Sequence, residues 1–135
     1  KREQEFPRPE MVKIEGAARA MEGNYERAKE ITSGLSKGDQ QWMESRGLKI
    51  PGFSDTLRLG GDTIHTSKEE SEFLKAEVKK EIIEGMKDIR SKTHFDKLPP
   101  EQRADFFNSY MRGRIHKAEH ALKMRIQSHS TTEKH

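Results

Sequence analysis

"TSKEESEFLKAEVKKEIIEGMKDIRSK", residues 66–92, decides the fold class. Ser67 stands where a helix N-cap belongs, and Glu70, three residues on, completes a capping box in which each side chain accepts the other's backbone N–H. Leu74, Val78, Ile82, Met86 and Ile89 then follow at steps of three and four, flanked by Phe73 and Ile83. That spacing makes one apolar face on a helix, and the remaining positions are mostly Lys and Glu. The segment is an amphipathic helix that needs a partner for its stripe.

Candidate partners lie on both sides. Downstream, "KLPPEQRADFF" opens a helix, because proline suits a first turn. Its stripe is Ala104, Phe107, Met111, Ile115, Ala118, Leu122 and Ile126. Upstream, a helix starts at Pro9 and carries a narrow heptad-like seam of Met11, Ile14, Ala18, Met21, Tyr25 and Ala28, extended by Ile31 and Leu35 and stopped at Gly34. Ser36, Asp39 and Gly47 bracket a short helix with the only tryptophan, Trp42. Residues 48–66 are read as a long irregular loop in which Leu57 and Leu59 alternate with charge, as a short strand or single turn would, and Gly60–Gly61 reads as a turn. The expected fold is all-α, three long helices and one short one, elongated or loosely bundled. An arm at 1–8, one helical domain over 9–127 and a flexible polar tail at 128–135 are expected.

Composition bounds the function. The chain has 135 residues, 36% charged and 30% hydrophobic, with 26 basic and 23 acidic side chains nearly cancelling to +3. Mixed charge of this kind suits solvated helices better than a disordered tail, and so little apolar surface suggests order gained on a partner. No cysteine is present, which removes disulfides, thiolate metal sites and thiol nucleophiles and suits a reducing compartment, cytoplasm or virion. No apolar run has the ~18 residues of a membrane span. The chain opens "KREQEFPRPE" without Met, as a processed chain or a fragment would. From Phe106 onward there are 6 basic and 2 acidic residues, so positive charge gathers at the C-terminal end.

The stretch "FDKLPPEQRADFFNSYMRGRIHKAEHAL", Phe95 to Leu122, resembles a helical module of large tailed-bacteriophage virion and ejection proteins. A Leu-Pro opening, a basic residue one turn later and a long helix ending in an Ala-rich turn carry the resemblance. "ITSGLSKGDQQWMESRG" is similar to the helix before that module's loop. The resemblance implies a structural or assembly role and brings no catalytic residues.

Three constellations bear on chemistry. His116 and His120 are one turn apart and share a helix face, as a metal-binding pair would. Lys117 stands where a zincin motif has Glu, and a third ligand would have to come from His65, His94, Asp62 or Asp96; two such histidines are more often plain surface residues. Arg112, Arg114, Lys117, Lys123 and Arg125 could contact a phosphate backbone, although a solvated or salt-bridging face is the commoner use of such a run. The carboxylates Glu69, Glu70, Glu77, Glu81, Glu84 and Asp88 alternate with lysines, as on an exposed helix, where no shielded acid–base pair is expected.

The function expected is a non-enzymatic structural or assembly module, with no cofactor, that packs on other subunits as a homo- or hetero-oligomer. The interface residues expected are Met11, Ile14, Met21, Tyr25, Trp42, Phe53, Phe107, Met111, Ile115 and Leu122, with Trp42 and Phe53 either docking into a partner or pinning the loop. A nucleic-acid-associated protein using the basic C-terminal helix is the main alternative, and a metal-dependent enzyme at His116 and His120 the second.

Overall fold

The computed structural model describes residues 9–133, with side chains described over 21–128. The arm at 1–8 and the side chains of Met11 and Ile14 lie outside the described residues. Helix α1 (Pro9–Ser33) leads into α2 (Lys37–Ser45), then strands β1 (Thr56–Leu59) and β2 (Asp62–His65), helix α3 (Lys68–Ser91), a 3-10 turn (Phe95–Lys97) and helix α4 (Pro100–Glu133).

Local sequence accounts for the helix starts. Ser67 and Glu70 form the reciprocal capping box at α3, and the Ser36 hydroxyl accepts the Asp39 amide at α2. Gly47 ends the α2 region with φ +65°, a left-handed conformation that glycine adopts without penalty. Helix α4 runs on to Glu133, so positions expected in a tail from 128 belong to its last turns. No Gly or Pro interrupts "SHSTTE", and polar residues alone do not stop a backbone ladder.

The fold is mostly helical but not purely so. The segment expected as an irregular loop holds a two-stranded antiparallel hairpin, pairing Thr56 with His65 and Leu57 with Ile64. Gly60 and Gly61 turn it with φ of 60° and 92°, the two consecutive positive values that match the twist of paired strands. Only Leu57 of the hairpin is buried, and every residue of β2 is exposed. Backbone pairing holds β2, which left no apolar alternation to read in "DTIH".

Helices α3 and α4 form the centre of the molecule. Their contacts run antiparallel: Asp88 meets Tyr110, Glu81 meets Arg114, and Phe73 lies under Arg125. Leu74, Val78, Ile82, Met86 and Ile89 face Phe107, Met111, Ile115 and Leu122 in one buried cluster. Gly85 allows close approach here, since a Cβ at that position would sit 3.1 Å from the Tyr110 ring and 3.3 Å from the Met111 sulfur. Trp42 closes one end, stacked on Phe95 at 5.5 Å and tilted against Phe107 at 6.3 Å. Arg46 lies over the indole at 4.5 Å while bonding Asp96 through two nitrogens at 2.7 and 3.0 Å.

Helix α1 docks through its second half. Ala28 and Ile31, with Leu35 just past the helix end, join the core, and Lys75 bridges to Glu30 at 3.1 Å. Arg27 donates to the Phe53 carbonyl at 2.8 Å and to Asn24 Oδ1 at 2.6 Å, with Asp55 at 3.7 Å, and so clasps the segment after α2 onto α1. Gly52 completes the fit: a Cβ there would come within 2.9 Å of Asn24 Cβ and 3.1 Å of its carbonyl carbon. Helix backbone cannot yield as a side chain does. Gly52→Ala is therefore expected to lower stability by about 1–3 kcal/mol, the usual cost of overpacking, read as a fall in urea midpoint with unchanged slope. An unchanged midpoint would mean that the segment slides at no cost.

Candidate functional site

The surface of α1 offers the clearest departure from a self-sufficient fold. Its apolar row enters the core at Ala28, yet the same row continues outward to Tyr25 and Met21, which are 55% and 52% exposed. Beside them an open groove of about 1240 Å³ runs between α1 and the α2–Ile50 segment. Its floor is Ala28, Met43, Leu48 and Ile50, each buried, and Glu22, Glu26, Glu44, Lys29 and Lys49 line its rim.

The other residues expected at an interface lie inside the molecule. Phe107, Met111, Ile115 and Leu122 are buried against this chain's own α3, which corrects their assignment to a surface for other subunits. Their seam and that of α3 match each other, so the two stripes satisfy one another within a single chain. Phe53 is buried and Trp42 half-buried by the stacking described above, so both pin the fold instead of reaching outward.

The basic run divides in two. Arg114 turns inward: Nη1 bonds Glu81 at 3.1 Å, and Nη2 and Nε donate to the Tyr110 hydroxyl at 2.9 and 3.2 Å, with Glu84 at 3.7 Å. The Tyr110 hydroxyl in turn donates to Asp88 Oδ2 at 2.7 Å. Arg125 lies over the Phe73 ring at 4.6 Å. Arg112 and Lys117 are exposed and Lys123 half-buried, so the five cations do not make one continuous face.

The Tyr110–Asp88–Arg114 network shifts each member. The Tyr110 hydrogen bond holds the Asp88 carboxyl below the usual range, with Lys92 and Arg114 adding to the effect. Loss of solvent pushes the Tyr110 hydroxyl up, and the bond to Asp88 acts the same way. Arg114 is raised, first by its bond to Tyr110. These groups fasten α3 to α4 through a polar strip beside the apolar seam. The pattern in sequence, acid on α3 opposite Tyr and Arg on α4, becomes visible only once the two helices are aligned.

His116 and His120 are both exposed, and His116 Nδ1 lies 2.9 Å from Glu119 Oε1. Among the described residues no group of three or more His, Asp or Glu side chains comes together as a metal would require, so His65, His94, Asp62 and Asp96 supply no third ligand. Among the described residues no helix is long and apolar enough to cross a membrane. No family model, curated protein or solved structure matches the chain.

Proposed function

We propose that this chain is a non-enzymatic helical assembly module that packs on other subunits through α1. The observation that carries this reading is the exposure of Met21 and Tyr25 on the same row that supplies Ala28 and Ile31 to the core. A helix whose apolar row outruns its own domain is built for contact beyond it. In sequence the row continues back through Ala18, Ile14 and Met11. Covering the exposed halves of Met21 and Tyr25 would take apolar area worth about 1 kcal/mol each out of water, before the cost of association. The likeness of Phe95–Leu122 to a tailed-bacteriophage virion and ejection module gives the setting we favour, a virion or its assembly.

Light scattering on the eluting protein over a concentration series, with circular dichroism alongside, tests this. The expected result is a defined oligomer for the native chain and a monomer of unchanged helicity for Met21→Glu/Tyr25→Glu. A monomer at every concentration, with the double variant melting at the same temperature as the native chain, would remove self-assembly through α1.

A further inference from the structure

Beyond that reading, we infer that the outward face of α4 between Arg112 and Lys123 is a contact surface for a nucleic-acid phosphate backbone. At about 100° per residue, Arg112, His116, His120, Lys123 and Lys117 occupy one sector of roughly 140°, opposite the buried row of Met111, Ile115, Ala118 and Leu122. All but Lys123 are exposed. Elsewhere the arginines that reach a carboxylate are spoken for: Arg27 with Asp55, Arg46 with Asp96, Arg90 with Asp39, and Arg114 with Glu81. On this face the one carboxylate between Phe106 and Ser128, Glu119, sits at the edge of the sector and is drawn to His116. The α3 acids nearest by, Glu81 and Glu84, turn to Arg114, on the other side of the helix. Among the described residues Arg112, Lys117 and Lys123 make no ion pair, so positive charge is in excess of the single Glu119 along about 16 Å of helix, at 1.5 Å per residue.

The chemistry that fits is a line of phosphodiesters. Three cations carried on one helix can neutralise two or three phosphates of a duplex, a kind of contact that carries no sequence information by itself. An acidic protein would need carboxylates at the same spacing, whereas a phosphate backbone presents charge along its whole length.

Fluorescence anisotropy of the full chain with a labelled duplex of arbitrary sequence, titrated across salt concentrations, is the test. The expected slope of log affinity against log salt is about −2 to −3, close to −0.9 per phosphate contacted. Arg112→Gln/Lys117→Gln/Lys123→Gln should cut affinity tenfold or more, by the order of one decade, and bring the slope near zero. Lys68→Gln/Lys80→Gln/Lys87→Gln removes the same charge from the exposed side of α3 and should leave the slope in place; circular dichroism melts show both variants folded. Equal losses in the two variants would reduce the effect to net charge and overturn the assignment. So would binding that ignores salt, or binding of poly-glutamate with no binding of the duplex.

Discussion

Phe95→Ala is expected to destabilise the protein by about 3–5 kcal/mol, the range for removing a buried aromatic ring. Phe95 sits in the turn that joins α3 to α4 and is 1% exposed. Its ring carries the indole of Trp42 at 5.5 Å on one side and Phe106 at 5.9 Å on another. Removing it opens a void where Trp42 of α2 meets the α3–α4 turn and Phe107 of α4, and the short turn leaves little backbone slack to close it. Small domains have about 5–15 kcal/mol in all, so the loss is a large share of the total. Urea titration measures it, and Trp42, the only tryptophan, reports the same event through a red-shifted emission in the folded variant. A loss below about 1 kcal/mol would mean that the end of the bundle collapses onto the gap.

Arg114→Ala should cost about 2–3 kcal/mol, in line with hydrogen bonds that involve charged groups. The guanidinium and its Glu81 partner are only 19% and 17% exposed, so the pair is better shielded than a surface bridge. Its removal strands Glu81 and leaves the Tyr110 hydroxyl with Asp88 alone. A double-mutant cycle with Glu81→Gln separates the pair's coupling from the packing of the arginine stem. A coupling energy of zero would make the arginine a spacer. The same strip gives a pH dependence of defined sign. Asp88 is held below its ordinary range in the folded state, so its contribution is present above the unfolded carboxylate pKa and disappears as pH falls through the folded one. Asp88→Asn should therefore flatten the acid limb of the stability profile.

The capping box and the Leu74–Ile89 stripe were legible because both are local: cap and periodicity lie within one helix. The partner of that stripe was not, and this is why Phe107, Met111, Ile115 and Leu122 looked equally suited to another subunit. An apolar face states that it is covered, never by what. Arg112 and Arg114 differ in the same way. They are two residues apart in one basic run, yet only the second points toward Glu81 and Tyr110, a difference set by the side on which α3 lies. Gly52 and β2 were hidden for a further reason. One works by the absence of a side chain against Asn24, and the other is held by backbone bonds that any sequence can make.

The antiparallel pairing of α3 and α4 also fixes the electrical character of the molecule. Each helix has an effective half charge at either end, of opposite sign, and two helices laid head to tail cancel these over their shared length. Little axial field is left from the backbone. The long-range potential is then written by side chains, and the 5 basic against 2 acidic residues between Phe106 and Glu133 gather positive charge on α4 beyond its first turns. A polyanion arriving by diffusion would be turned toward that side before any contact formed.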